Sequence, residues 1–179
     1  MVNKNKLIKF QILSVIFTWI LGVILHFIFE WTGGNHFIGS FSAVNESVWE
    51  HLKLLFFPML ISTIVGYFYF GKNCDSNFLC AKTLGIIFSL IGITAFFYIC
   101  SSIFGINLAF LNIGSFFVFS ALGEFVAYKL CFSNLRCDKS FAVFVLGLLF
   151  VCFVVFTYFT PSFGLFKDPI DESFGIFKN

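Results

Sequence analysis

The stretch Ser140–Thr160, SFAVFVLGLLFVCFVVFTYFT, contains no charged residue and decides the class of this chain. It matches the roughly 20 apolar residues that a helix needs to cross the hydrocarbon of a bilayer. Four further runs of the same kind precede it, at Leu7–Trp31, Ser47–Phe70, Phe78–Cys100 and Leu108–Leu130. Transmembrane strands alternate apolar and polar residues over about ten positions, and these runs do not alternate. Backbone polar groups in lipid must pair within their own segment, which favours helices. The expected fold is an all-α, polytopic transmembrane helix bundle of five spans. It forms one integral membrane domain over residues 1–179, with a tail at 161–179.

Composition agrees with this class. Of the residues, 59% are hydrophobic and 11% charged, and the mean hydropathy is +0.98. No soluble domain of this size could keep such a surface in water. The net charge of +2 implies no nucleic-acid partner; the bilayer is the expected partner. Phenylalanine is abundant, at 31 residues, and no single Phe position is read as functional on that account.

Basic residues predict the orientation. Lys4, Lys6, Lys9, Lys72, Lys82, Lys129, Arg136 and Lys139 share one side if the chain weaves regularly. Lys53, Lys167 and Lys178 fall on the other. The positive-inside rule then gives a multi-pass protein of the cell membrane with a cytoplasmic N-terminus and an external C-terminal tail. Trp31 and Trp49 lie at the outer ends of the first two spans, where indoles favour the interface. The first span is too long for a secretory signal and lacks a small-residue cleavage site after it, so it reads as an uncleaved anchor.

Cys74, Cys80, Cys131 and Cys137 fall at the predicted cytoplasmic face in two pairs. Their spacing is not the short C-x-x-C type of zinc sites, and reduced thiols are expected in a reducing compartment. Cys100 and Cys152 sit in apolar spans as small core residues.

Polar residues gather around the first external loop. His26 and Glu30 are four apart and share a helical face. Gln11, Ser14, Thr18 and Gly22 continue a polar or small stripe, which should face other helices or a cavity. The loop Trp31–Val44 holds Gly33, Gly34, His36 and Gly39, and its length suits a lid or re-entrant turn. Next comes Asn45-Glu-Ser-Val-Trp-Glu-His-Leu-Lys53. Asn45 is a candidate N-cap, and Ser47 with Glu50 has the form of a capping box. Glu46, Glu50 and Lys53 follow i, i+4, i+7 and form one charged stripe, about 10 Å into the span by Lys53. Ionisable groups at that depth face an interior or a wet cavity. His51 points about 100° from Glu50 and addresses the first span or the loop.

These positions define an expected pocket between the first two helices, near the outer leaflet. His26 and Glu30 face Glu46, Glu50 or Lys53 there. Pro58 should kink the second span. Glu124 lies in the inner half of the fourth span, about 15–20 Å from His26 in depth, and is either an inner ion station or the partner of a cytoplasmic-end lysine by snorkelling. The tail carries Asp168-Pro169, Asp171 and Glu172 among apolar residues, and either caps the outer vestibule or lies along the headgroups.

The Asn45–Lys53 motif with Pro58, together with the tail Leu165-Phe-Lys-Asp-Pro169 and Gly175-Ile, resembles an uncharacterised bacterial integral membrane protein family of unknown function, DUF6512. The resemblance covers nearly the whole chain and implies no activity. Asn45-Glu-Ser and Trp49-Glu-His-Leu52 also echo, at a different spacing, a phrase of the adiponectin-receptor and alkaline-ceramidase class of membrane hydrolases. That class has seven spans and a distal H-x-x-x-H, neither of which occurs here, so no residue role is carried over.

Three functions use these residues. A metal-dependent hydrolase or transferase would take His26, Glu30 and Glu50 or His51 as ligands of a divalent ion, with Glu46 as general base. A proton- or cation-coupled transporter would use the same group as one station and Glu124 as another. Asn45, His51 and Lys53 join the binding set in either case. A non-catalytic scaffold or sensor would use the cluster only to lock helices. The small-residue face Gly85-x-x-x-Ser89 offers a contact for a second copy of the chain.

Overall fold

The computed structural model describes residues 3–71, 77–103, 109–134 and 137–178. Five of its helices are long and apolar enough to span a membrane. Helix α1, Lys4–Trp31, starts at Asn3, whose Oδ1 accepts from the Asn5 and Lys6 amides at 3.0 and 3.2 Å. It ends in a Schellman turn: the Gly34 amide reaches Phe29 O and the Gly33 amide reaches Glu30 O. Gly33, directly after the cap, has the positive φ (68°) that this turn demands, and Gly34 follows at 76°. A single helical turn, α2 (His36–Gly39), interrupts the loop. Helix α3, Val48–Gly66, continues into a π-helical turn at Tyr67–Gly71. Helices α4 (Asn77–Ile103), α5 (Ala109–Cys131) and α6 (Lys139–Tyr158) complete the bundle. The limits of the five long helices lie within a few residues of the apolar runs, and the described residues contain no strand, only one isolated bridge between Lys167 and Phe174.

Helix α3 is the axis of the bundle. Over half of its spanning window is buried (56%), against 17–33% for the other four helices. Its Leu55, Phe56 and Met59 are fully enclosed and pack with Ile86 of α4 and Phe153 of α6. Helix α1 has the reverse polarity of a soluble helix. It buries Leu7, Gln11, Ser14, Thr18 and Gly22 and exposes Ile12, Leu13, Ile16 and Ile20. Lipid is as apolar as leucine, so what selects the inner face is close packing and hydrogen bonding rather than hydrophobicity.

Two close approaches follow from small residues. Pro58 has no N–H for the Leu54 carbonyl. A Cβ added at Gly22 would stand 3.0 Å from that carbonyl oxygen and 2.6 Å from Phe116 Cζ. Glycine at position 22 thus lets α1 approach α3 where the proline has freed an acceptor. Helices α4 and α5 meet at Gly85 and Gly123, where either added Cβ would run into the other glycine's carbonyl oxygen. Ser89 Oγ donates across this seam to Phe119 O at 2.8 Å. The Gly85–Ser89 face is therefore spent on α5 within the chain. Gly123→Ala should force the two backbones apart and cost about 1–3 kcal/mol. Thermal unfolding in detergent reads this as a lowered midpoint, and an unchanged midpoint would rule out the packing described.

The bundle has two dissimilar ends. The α1–α3 loop and the C-terminal tail share one, the loop end; the basic end carries the N-terminal lysines. At the basic end the thiol expectation fails for one pair. Cys80 and Cys137 form a disulfide between the start of α4 and the residue before the α6 cap, with Cα atoms 6.1 Å apart. They belong to different sequence pairs, and only the packing of α4 beside α6 brings them together. Cys131 is buried in an apolar cluster with Leu7, Phe78 and Ala81. Cys74, Lys72 and Arg136 lie outside the described residues.

The tail packs rather than trailing along the surface. Asp168 is buried, and the amides of Trp49 and Ile176 donate to Leu165 O and Thr157 O. Its exposed turn is held by Asp171, whose carboxyl is pushed down to about 2, first by the Ser173 hydroxyl, then by the Ser173 amide and Lys178.

Candidate metal centre

The Asn45–Lys53 motif is built by a cap and a strap. Ser47 is the N-cap of α3, its Oγ accepting from the Glu50 amide at 3.3 Å. The capping box expected there is only half formed. The Ser47 amide donates to Asn45 Oδ1 (3.0 Å) instead of to Glu50, so Asn45 lies before the cap and is not the cap. The Glu46 amide donates to Asp168 Oδ2 (3.0 Å), and the Asn45 side-chain amide reaches Gly175 O (3.5 Å). The tail therefore fixes the backbone on which Glu46 stands. Glu46 precedes α3 and does not continue a helical stripe with Glu50 and Lys53.

Freed from the helix, the Glu46 carboxylate lies between two imidazoles. Its Oε2 is 3.4 Å from His51 Nε2, and its Oε1 is 3.9 Å from His26 Nε2. One ligand atom from each of His26, Glu46 and His51 lies within 4.8 Å of the other two. All three residues are partly exposed, at 30%, 42% and 34% of their side-chain area, so the group is reachable from the loop end.

The hydrogen bond behind His51 settles its tautomer. Nδ1 stands 3.0 Å from the Ser47 carbonyl oxygen, which can only accept. Nδ1 must carry the proton, by inference from the network. In the neutral ring Nε2 is then a bare lone pair, and it faces a carboxylate oxygen. Two acceptors in that relation are bridged either by a proton, which makes His51 an imidazolium paired with Glu46, or by a metal ion. An imidazole that gives its remote N–H to a backbone carbonyl while aiming the other nitrogen at a shared centre is the usual arrangement of a metal-bound histidine. Tetrahedral zinc with bonds of about 2.0–2.1 Å sets its ligand atoms about 3.3 Å apart. The His51–Glu46 separation of 3.4 Å is near that value, whereas His26 approaches the other carboxylate oxygen at 3.9 Å and the three ligand atoms spread over up to 4.8 Å, so the group would draw in around an ion.

A cavity of about 160 Å³ opens beside the cluster, lined by His26, Phe27, Glu30, Val44, Asn45 and Glu46 among others. Glu30 brings a second carboxylate to it. The loop floor is re-entrant: the Ala43 amide donates to Leu25 O at 3.3 Å, about 9 Å below the end of α1.

Glu50 and Lys53 stand apart from this group. Lys53 Nζ lies 2.5 Å from Glu50 Oε2 and donates to Gly39 O and Thr157 Oγ1, both at 2.8 Å. Three N–H donors meet three acceptors. Glu50 Oε2 also takes the Val44 amide (3.1 Å), and Oε1 lies 3.3 Å from the Thr157 hydroxyl. Both side chains are sealed from solvent, at 2% and 0%. This pair ties loop, α3 and α6 together.

Glu124 is paired as well, at the opposite end. Lys82 Nζ lies 2.5 and 2.6 Å from its two oxygens. The pair is fully buried, so Lys82 does not snorkel to the surface as expected of a cytoplasmic-end lysine.

Of the residues expected in the pocket, the structure brings His26, Glu46 and His51 together and sets Glu30 and Asn45 on the cavity wall. It holds Glu50 and Lys53 in a separate lock. Sequence reasoning missed Asp168 as the anchor of Glu46, Thr157 as the partner of Lys53, and the Ser47 carbonyl. The Asp-Pro dipeptide in a tail rich in apolar residues was the signal for the first. Nothing local signals the other two.

A family model described as "Family of unknown function (DUF6512)" matches residues 1–176. No curated protein and no solved structure matches the chain.

Proposed function

Because the chain belongs to the DUF6512 family, whose description carries no activity, we propose from the geometry that it holds a divalent metal ion, zinc before others, on His26, Glu46 and His51, and uses it for hydrolysis at the membrane surface. The observation that carries the reading is His51, whose Nδ1–H is committed to the Ser47 carbonyl while Nε2 faces Glu46 at 3.4 Å. Two imidazoles and one carboxylate leave a fourth position toward the cavity, the donor set of water-activating zinc sites. Glu46 is then a ligand rather than the base. Glu30, one helical turn from His26 and on the same cavity, is the carboxylate available to take the water's proton.

Depth and the cavity wall narrow the substrate. Trp31 ends α1 with 68% of its surface exposed, about 7 Å along the helix from His26, which suits the headgroup level. The cavity offers two carboxylates, and the nearest lysine of α3 is spent on Glu50. With a divalent ion in place the two carboxylates are balanced, so charge does not select the head of the amphiphile, and the apolar Phe27 and Val44 of the cavity wall favour a head carried on an apolar body. The basic-residue bias supports a loop end outside the cytoplasm. The Cys80–Cys137 bond then lies on the cytosolic side, where disulfides are rare, and it weighs against that orientation.

Metal analysis after zinc loading tests the site. Wild type should carry one ion per chain. Glu46→Gln and His51→Ala should each lose at least about tenfold in affinity, since removing a ligand exceeds the loss of an orienting partner. Glu50→Gln should keep the ion. Zinc retained in both ligand variants, or absent from loaded wild type, would end this proposal.

A further inference from the structure

The Lys82–Glu124 node differs from the Glu50–Lys53 lock in its count of oxygens. Lys82 Nζ has Gln11 Oε1, Ser14 Oγ and Ser62 Oγ each at 3.4 Å, besides the two Glu124 oxygens. An ammonium has three protons to give, and five oxygens from α1, α3 and α5 surround it. The Ser14 hydroxyl donates to Glu124 Oε1 at 2.7 Å, so the carboxylate is oriented independently of the lysine. Thr18 Oγ1, fully buried one turn beyond Ser14 on α1, has no partner and adds a further neutral oxygen along the same face. The unpartnered Gln11 Nε2 is a donor and takes no part in holding a cation.

An all-oxygen cage with one carboxylate is the coordination of a hard cation. Its charge selects the ion. Glu124 supplies one negative charge and the remaining ligands are neutral, so a divalent ion would leave a buried positive charge uncompensated. We infer that the node is a monovalent-cation site, with the Lys82 ammonium as the resident cation and Na⁺ or Li⁺ as its exchange partner. Exchange is one for one. Lys82 releases one proton to water, the alkali ion takes its place beside Glu124, and the net charge of the node stays at zero throughout.

Depth favours exchange with the basic end. Leu55, Phe56 and Met59 are fully buried toward the loop end, and toward the basic end Leu7, Phe78 and Ala81 are fully buried too, with Cys131, Phe10, Phe70, Tyr128 and Leu130 packed around them. Lys82 lies five residues into α4, about 8 Å from its start. The charged group facing Lys82 is Glu124 on α5. Helices α1 and α3 present the neutral Gln11, Ser14 and Ser62, and the titratable Cys131 and Tyr128 of α5 belong to the apolar layer. The inference does not depend on the metal centre, which lies at the other end of the bundle.

Proton release is the test. Purified protein in weakly buffered detergent at about pH 9, below the ordinary lysine value of about 10.4, receives NaCl or choline chloride. Sodium should release close to one proton per chain and choline none, and Glu124→Gln should release none with either. Lys82→Ala should bind sodium without releasing a proton and should unfold at a higher temperature in sodium than in choline. If wild type releases no proton on sodium addition between about pH 7 and 10, the inference falls. That titration decides the matter even if Lys82→Ala does not fold.

Discussion

Lys53→Met should destabilise the protein by about 3–5 kcal/mol and leave zinc stoichiometry at the loop end unchanged. The substitution strands the Glu50 carboxylate, 2% exposed, with the Val44 amide and the Thr157 hydroxyl as its remaining partners. A buried charge without its counter-ion loses far more than a surface pair would, because no water replaces the lost partner. The compensating double variant, Lys53→Met with Glu50→Leu, should recover little. Gly39 O and the Val44 amide would both be left buried or half-buried without their donor and acceptor, at about 1–3 kcal/mol each. Equilibrium unfolding in mixed micelles, run beside metal analysis, checks both halves. A Lys53→Met protein that loses zinc but not stability would show that the two clusters have been assigned the wrong way round.

The pair at the basic end should answer differently. In choline, Lys82→Met should again cost about 3–5 kcal/mol, since Glu124 is left charged among neutral hydroxyls and a carboxamide. Adding Glu124→Leu should restore most of the loss. Ser62 Oγ already donates to Met59 O at 2.9 Å, and the Ser14 hydroxyl can turn to a carbonyl of its own preceding turn. No backbone group is orphaned, in contrast to the lock on the loop. A double variant as unstable as the single one would mean that the ion pair orders the four surrounding helices in a way hydrophobic side chains cannot reproduce.

These contrasts show where the sequence was legible. The inward stripe Gln11, Ser14, Thr18, Gly22 was readable because helical spacing is local, and the same four residues are buried on α1. His51 was readable as turning away from Glu50 for the same reason. The charged stripe Glu46–Glu50–Lys53 was misleading because helical spacing was extended across a cap. Ser47, not Asn45, starts α3, so Glu46 follows loop geometry and its carboxylate swings to the imidazoles. Glu50 and Lys53, three apart in the helix, close on each other and then on Gly39 and Thr157, which no spacing connects to them. Cys80 and Cys137, separated by 57 positions, are a further case.

By itself the sequence determined that five helices are long and apolar enough to span a membrane, roughly where they run, and the inward stripe of α1. Those follow from apolar run length and from a period of 3.6 residues, which act within one segment. Tertiary structure alone decided which charge meets which. Lys82 chose Glu124, Lys53 chose Glu50, and Glu46 was left for His26 and His51. Pairing at that level is set by loop re-entry, by the Asp168 strap and by the close passage of glycines at helix crossings, and each of these joins residues that lie far apart along the chain.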